Sequence, residues 1–390
     1  MNALPNSQTR WPECEVVVLG GGPAGTAAAI TLARAGRSVV VLEKSGYDQS
    51  RIGETLPPAA RLPLLKLGVW EQFSAAGHLP SPGVLSVWGD SELYQNHFIF
   101  NPYGHGWHLD RQRFDVMLAE AAQQAGARLC CHAQVNSCLP GETDGWQVEF
   151  DCGGRRQQIR AQFLLDATGR AATLARQQGA KRINADRLVG LVGLLTPHPR
   201  VSAGDACTLV EACADGWWYS ALLPDGQLVA VYLTDADLLP RARQDWPAFR
   251  QAQLQQTNYT QNRLRTFDPP AQLRVVAANS ARLDCVSGLS WLAVGDAALS
   301  FDPLSSQGLL QALASGLRAG EVLNRCLAGD DTALFRYAQE TQALFEQYAQ
   351  RYAEYYRREQ RWPHSSFWQR RQVRVSESNF LPLLAHEQLH

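Results

Sequence analysis

The 390-residue sequence lacks any excess of one charge. Its 36 lysines and arginines stand against 37 aspartates and glutamates, a formal charge of −1 with both signs spread along the chain. That balance excludes a surface built for nucleic acid or for an anionic membrane. No apolar run reaches the length of a membrane span, and the opening residues, MNALPNSQTRWPECE, contain no apolar segment long enough for a signal peptide. The nine cysteines include no C-x-x-C pair, so they are expected to be reduced thiols in a cytoplasmic protein. Vicinal Cys130 and Cys131 read as strand residues facing opposite ways. No metal-ligand spacing, no Ser-His-Asp arrangement, no repeat and no low-complexity tract is present, so a metal is not expected. Length alone allows two or three domains.

What is present is concentrated in Glu15–Lys44, EVVVLGGGPAGTAAAITLARAGRSVVVLEK. Val16–Leu19 is an apolar run of the kind a strand buried on both faces shows. Gly20, Gly22 and Gly25 follow at G-x-G-x-x-G spacing, with Pro23 and Ala24 between them. The first glycine allows a tight turn, the second lets backbone approach a pyrophosphate, and the third lets the next helix pack on the strand. The helix is expected over Ala24–Ala35, and its N-terminus presents N–H groups and the positive end of a dipole to phosphate. A second buried run, Val39–Leu42, ends in Glu43, whose carboxylate can accept from both hydroxyls of an adenosine ribose. Lys44, beside it, can sit near ribose or phosphate. Strand, glycine turn, helix, strand and acid together make a specific dinucleotide signal.

Farther along, Ser45–Pro58 reads as a loop leaving the carboxyl side of the sheet, where ligands bind. Arg51, Gly53 and Glu54 are its candidate ligand residues. An amphipathic helix is expected over Ala59–Phe73, and loose alternation in Val84–Phe100 predicts strands. Trp107–Arg111 leads into a helix over Gln112–Ala125, with Asp110 as its cap and Arg111 placed to project toward an anionic cofactor. Ala127–Val135 reads as one strand. Trp146–Phe150 and Gln157–Ala161 read as a hairpin across Gly153-Gly154. Phe163–Gly169, FLLDATG, reads as a further buried strand running into a glycine turn.

From Leu188 the texture changes to short apolar runs separated by turn signals. Leu188–Leu195, Ala206–Ala212, Trp217–Leu223 and Gln227–Leu233 predict a mostly antiparallel sheet. A helix is expected over Trp246–Gln261 and a returning strand over Arg274–Asn279. Trp291–Gly320, WLAVGDAALSFDPLSSQGLLQALASGLRAG, is the second strong block. Its strand delivers Gly295-Asp296, then a loop with Pro303, then Gly308 and Leu309 at the start of a helix. Helices continue to Arg358, followed by the basic, aromatic stretch RWPHSSFWQRR at Arg361–Arg371, for which packing is the first expectation, with a lid or a partner-binding surface as alternatives.

The expected fold class is α/β: a Rossmann-like, glutathione-reductase-like dinucleotide domain with an antiparallel-sheet substrate domain and a C-terminal helical segment. The first domain is expected in three parts, residues 1–82, 109–187 and 279–328. The substrate domain would take residues 83–108 and 188–278, and the helical segment residues 329–390.

GGGPAG with Glu43, DATGR at Asp166–Arg170, and GDAALSFDPLSSQG at Gly295–Gly308 together resemble the aromatic-hydroxylase and halogenase branch of FAD-dependent oxidoreductases. The resemblance covers nearly the whole chain. It implies FAD as cofactor, with the first block on its ADP part and the last on the ribityl chain and flavin edge. It places Gly20, Gly22, Pro23, Ala24, Gly25, Glu43, Lys44, Arg51, Arg111, Val135, Ala167, Gly169, Asp296, Pro303, Gly308 and Leu309 around the cofactor.

Arg51-Ile52-Gly53-Glu54 looks like the R-x-G-E segment of flavin-dependent tryptophan halogenases. The halogenase G-W-x-W-x-I-P segment is absent, its nearest counterpart being Gly216–Pro224, GWWYSALLP. The lysine those enzymes use beyond the R-x-G-E loop is also missing: no lysine occurs from Leu67 to Gln112, and Lys66 alone lies nearby. GWWYSALLP, FDPLSSQG and RWPHSSFWQRR look more like flavoprotein maturases that hydroxylate a tryptophan of a partner oxidase or dehydrogenase to build a tryptophylquinone cofactor.

That resemblance implies a monooxygenase acting through a flavin C4a-hydroperoxide, a protein substrate, and NAD(P)H or a partner flavin reductase as electron source. Trp217, Trp218 and Tyr219 would enclose the aromatic substrate, or face the core of the sheet. Glu54 or His108 would relay a proton. A hydroxylase of a small aromatic metabolite, and a non-catalytic flavoprotein chaperone for an oxidase precursor, remain as alternatives.

Overall fold

The computed structural model describes residues 9–48, 51–141, 145–198 and 205–372. The expectations for residues 1–8, loop positions 49–50 and the tail beyond 372 lie outside them. The structure is mixed α/β, and the glycine-turn block forms as expected. Strand Cys14–Leu19 leads through Gly20–Gly22 into helix Pro23–Arg34, then strand Val39–Leu42. The two strands pair in parallel, Val16 opposite Val39 through Leu19 opposite Leu42. All four residues of the second strand are buried, as apolar residues covered on both faces must be.

Among the described residues this sheet has nine strands, whose main path places Val39–Leu42 and Arg128–Cys130 on one side of Cys14–Leu19. On its other side lies the longest strand, Arg155–Asp166. Its first half forms a hairpin with Trp146–Cys152 across Gly153-Gly154, and its second half runs parallel to Cys14–Leu19 and to Trp291–Ala293. The polar hairpin arm and the buried FLLD run, expected as two strands, are therefore one.

Helix Pro23–Arg34 lies against helix Gly308–Leu327, and glycines permit the close approach. A Cβ on Gly316 would stand 2.2 Å from the Ala24 carbonyl oxygen, and one on Gly320 would stand 2.6 Å from Thr31 Cβ.

Among the described residues the second large sheet has seven strands. Leu188–Leu195, Leu228–Asp235, Gly216–Leu222 and Thr208–Cys213 form its antiparallel centre, and Gly83–Val87 joins Thr208–Cys213 in parallel. Both faces are covered. Val192, Trp217 and Val231 pack under Tyr356, Phe367 and Trp368 from the C-terminal helices. Leu191, Trp218 and Tyr232 pack under Leu254, Leu264 and Phe267.

Three expected elements are interrupted. The helix expected over Ala59–Phe73 is a turn at Pro58–Ala60 and two short helices, Arg61–Lys66 and Trp70–Ala75. Gly68 separates the helices with φ +59°, and a Cβ there would meet Arg34 Nη1 at 2.5 Å. The expected strand Ala127–Val135 stops at Cys130 and resumes at Gln134, with His132 at φ +53° between. Cys131 therefore lies in a turn, not on a strand face opposite Cys130. The helix expected over Trp246–Gln261 is two, Trp246–Leu254 and Tyr259–Leu264. No helix among the described residues is long and apolar enough to cross a membrane.

Candidate functional site

The carboxyl ends of the parallel strands open onto a cavity of about 670 Å³, within the range that bound small molecules and cofactors fill. Glu43, Lys44 and Val135 line one end, Gly20, Gly22, Pro23 and Ala24 the middle, and Asp296, Gly308 and Leu309 the other end. Arg51, Gly53, Arg111, Ala167 and Gly169 also face it. Gly25 and Pro303 do not. Gly25 sits behind the turn, where a Cβ would be 2.0 Å from the Gly20 carbonyl oxygen. Pro303 opens the turn Pro303–Ser305, which precedes Ser306 (φ +51°) and the helix that starts at Gly308.

Two helices aim their N-termini at this cavity, Pro23–Arg34 and Gly308–Leu327, and neither is capped by a side chain. Their first N–H groups thus remain as donors for a ligand. Gly20 holds φ +105°, and a Cβ there would lie 2.3 Å from the Ala167 carbonyl oxygen, so the two strand ends meet without side chains between them.

Glu43 is buried and accepts from Gly21 N–H at 2.7 Å, Ser45 N–H at 3.0 Å and Arg51 Nη2 at 3.0 Å. Burial pushes its pKa up, but donors from Ser45 and Gly21 and the Arg51 charge outweigh that and hold it below the ordinary value. Asp115, absent from the sequence expectations, organises both arginines. Its buried carboxylate takes Arg51 Nη1 at 3.1 Å and Arg111 Nη2 at 3.1 Å. Arg111 Nη1 donates to the carbonyls of Ile52 and Gly53 at 2.9 Å each. Arg111 therefore lines the cavity as a clamp on the loop, with its donors already committed. The i,i+4 spacing of Arg111 and Asp115 was the available signal.

Glu54 lies one residue behind the cavity wall. It is buried, accepts from Gly53 N–H at 3.0 Å and from the Tyr219 hydroxyl, and burial raises its pKa. Tyr219 also meets Thr55 Oγ1 at 2.5 Å. His108 is not placed to relay protons. It has no exposed surface, its Nδ1 faces the Leu222 carbonyl at 2.9 Å and its Nε2 faces Thr208 Oγ1 at 2.9 Å. Nδ1 must donate to that carbonyl and Nε2 accept from the hydroxyl, so both nitrogens are occupied. Burial pushes its pKa down to about 4.

Trp217 and Trp218 likewise leave the substrate role. Each is 0% exposed, and as neighbours on a strand they enter opposite faces of a sheet covered on both sides. Trp217 Nε1 donates to the Tyr356 hydroxyl at 3.1 Å, while Trp218 packs against Tyr232 with Arg250 over its ring. Of the three aromatics, only Tyr219 reaches the Glu54 loop.

Behind the Gly308 loop, a second cavity of about 440 Å³ separates residues 301–307 from the long helix Ala333–Arg358. Leu304, Ser305 and Gln307 form one wall, Tyr348, Tyr352 and Tyr355 another, and Arg351, Glu354 and Arg358 the rim. The Tyr352 hydroxyl is buried and has no hydrogen-bond partner among the described residues. The tyrosines at i, i+4 and i+7 of this helix were its sequence signature.

Asp302 links this region to the Gly308 loop. It is 1% exposed, accepts from Leu304 N–H and the Tyr356 hydroxyl at 2.8 Å each, and its own N–H donates to Tyr348 Oη at 2.8 Å. Burial, then the nearby Asp186 charge, raises its pKa to about 7. The native state thus holds this proton where the unfolded chain, near the ordinary value of about 4, has released it. Stability is therefore lost as pH rises from about 4 to about 7. Asp302→Asn should remove that term, leaving a differential pH dependence between parent and variant of up to about 4 kcal/mol, read by denaturant unfolding across the window.

A family model for FAD-dependent oxidoreductases matches residues 15–280. The protein LodB of Marinomonas mediterranea, named as an FAD-dependent oxidoreductase, is 32% identical over 365 residues, covering 92% of this chain and 96% of that one. The myxobacterial chondrochloren halogenase CndH superposes with a TM-score of 0.86 at 23% identity, over 95% of this chain and 88% of that one, a likeness of fold. The peptidyl tryptophan dihydroxylase QhpG, essential for tryptophylquinone cofactor biogenesis, superposes with a TM-score of 0.76 at 28% identity, over 92% of this chain and 79% of that one.

Proposed function

We propose that this chain, which belongs to the FAD-dependent oxidoreductases and takes FAD as its cofactor, hydroxylates a tryptophan side chain within a partner polypeptide. The partner would be an oxidase or dehydrogenase precursor acquiring a built-in quinone. The residues around the larger cavity fit FAD. Gly22 leaves backbone bare toward the space, where among the described residues a Cβ would meet only Arg51 Nη1 at 3.8 Å. Ionised Glu43 would hold the adenosine ribose, and the N-terminus of Pro23–Arg34 the pyrophosphate. Asp296 would face the ribityl chain, and Gly308 and Leu309 the flavin edge.

When bound, FAD carries two electrons to dioxygen, one oxygen atom entering the aromatic ring and the other leaving as water. The N–H groups and dipole at Gly308 would favour negative charge on the reduced ring. Arg111 fixes the Ile52-Gly53 backbone, and Glu54 fixes Tyr219.

The observation that carries the reading is the second cavity. It adjoins the loop that ends at Gly308, one of its walls carries Tyr348, Tyr352 and Tyr355, and the buried Tyr352 hydroxyl has no hydrogen-bond partner among the described residues. Its rim of arginine and glutamate side chains suits a polypeptide backbone better than a free small ring. QhpG, similar over most of the chain, acts on peptidyl tryptophan. Halogenation is disfavoured by the supply of lysine. The chain has only Lys44, Lys66 and Lys181; all three are exposed, and none lines the second cavity.

The test is mass spectrometry of polypeptides that co-purify with a tagged copy from its native host. A partner that gains oxygen on a tryptophan with the intact protein, and not with Gly22→Trp, is the expected result. A partner gaining halogen would make the protein a halogenase. No modified partner, with NAD(P)H consumed when free indoles or phenols are added, would overturn the polypeptide substrate.

A further inference from the structure

We propose that Cys130 and Cys152 form a reversible intrachain disulfide that tightens the adenosine end of the cavity. Cys130 ends the strand Arg128–Cys130, and Cys152 ends the hairpin arm Trp146–Cys152. Both are free thiols, and their sulfurs stand 2.6 Å apart. A disulfide bond is about 2.05 Å, so little movement separates the thiols from bonding. Both sulfurs also lie near one acceptor, the Cys131 carbonyl, at 3.8 Å and 3.6 Å.

The position gives the bond a consequence. The Glu43 N–H donates to the Cys130 carbonyl at 2.9 Å, and the Ala133 N–H donates back to the Glu43 carbonyl at 2.9 Å. His132 N–H reaches the Ser45 carbonyl at 3.3 Å. The turn 131–133 is thus laced to the segment whose carboxylate faces the cavity, and its far end passes directly into Gln134 and Val135 of the cavity wall. Joining Cys130 to Cys152 ties the base of that turn to the hairpin. A tied turn opens less often, and opening is what releases a ligand held at this end.

Hydrogen peroxide is the oxidant class that suits the pair. Cys130 is buried and its thiol is pushed up to about 12, whereas Cys152 is half-buried. The Cys152 thiolate attacks the peroxide oxygen, the O–O bond breaks, and the departing hydroxide takes up a proton to leave as water, giving a sulfenic acid. The Cys130 sulfur then displaces that hydroxyl, which leaves as a second water once the Cys130 proton is transferred. Two thiols are oxidised and one peroxide is reduced to two waters. An added dithiol reverses the bond by exchange.

The link is read on the FAD-loaded protein by alkylation and peptide mass spectrometry after a pulse of hydrogen peroxide. Cys130 and Cys152 should be protected together and recovered as one cross-linked peptide, and dithiothreitol should return both to alkylation. Cys131→Ser should retain the link, and Cys152→Ser should leave Cys130 open. The rate of FAD release by dilution should fall about three- to tenfold in the oxidised protein. Full alkylation of both thiols after peroxide, or a link between Cys131 and Cys152, overturns the proposal. A link with unchanged FAD release overturns its coupling to the cofactor. The cross-link is scored on the peptide, so its absence is distinguishable from failure of the cofactor placement.

Discussion

Gly22→Trp should purify as a folded but colourless protein. Among the described residues a Cβ at Gly22 meets no backbone, with Arg51 Nη1 at 3.8 Å its nearest neighbour. The indole would fill the middle of the cavity, where the proposed placement of FAD puts the pyrophosphate against backbone, and leave the parallel strands untouched. FAD affinity should fall at least about a thousandfold, roughly 4 kcal/mol, read by flavin absorbance after gel filtration. The circular dichroism spectrum should stay that of the parent.

Gly25→Val makes the informative contrast. Its Cβ would stand 2.0 Å from the Gly20 carbonyl oxygen and 3.0 Å from Ala167 Cβ, so helix Pro23–Arg34 would have to leave the strand. That variant should lose flavin and fold together. Yellow Gly22→Trp protein would remove the cavity from its assigned role.

The second large effect concerns the C-terminal helix Ser366–Gln372. Asp235 ends the buried strand Leu228–Asp235, and its carboxylate takes Arg371 Nη2 and Arg370 Nη1 at 2.7 Å each. Side-chain exposure is 1% for Asp235 and 3% for Arg371. Arg371 also donates to the Phe367 carbonyl at 3.0 Å and lies over the Phe367 ring. Asp235→Leu should cost about 3–5 kcal/mol, because the Arg371 charge stays buried without its counter-ion. The double variant Asp235→Leu/Arg371→Met should recover most of that loss, since a buried pair replaced by apolar side chains of similar volume is close to neutral. Denaturant midpoints of the three proteins measure the coupling. A double variant no better than the single one would refute the account.

The strands of the nucleotide sheet were legible because a strand buried on both faces is written as an unbroken apolar run, as in Val16–Leu19 and Val39–Leu42. Gly20 and Gly25 were legible because neighbouring backbone stands where a Cβ would be, at 2.3 Å and 2.0 Å. What could not be read was partner choice. Arg155–Asp166 looked like two strands because its pattern changes from polar alternation to a buried run, and that change marks an exchange of neighbours along one strand.

Trp217 and Trp218 read equally as a substrate cage or as residues facing the core of the sheet. Periodicity gives the face each occupies but says nothing of whether helices cover both faces. His108 and Glu54 had the right chemistry for proton transfer; only the saturated hydrogen bonds of His108 remove it. Asp115 and the tyrosine stripe of the long helix carried signals in their spacing, yet spacing alone does not show that Asp115 holds two arginines against the cavity.

The long strand also dictates when the protein can be completed during its synthesis. Its antiparallel half finds its hairpin partner within a few residues, so that arm can form as soon as it leaves the ribosome. Its parallel half receives Trp291–Ala293 more than a hundred residues later, and the cavity waits longer still for Gly308 and Leu309. At about 5–20 residues per second, the nascent chain carries an unclosed sheet edge for many seconds. If FAD sits as proposed, its loading is a late event, and scarcity of FAD should be felt as a burden on chaperones as well as a loss of activity.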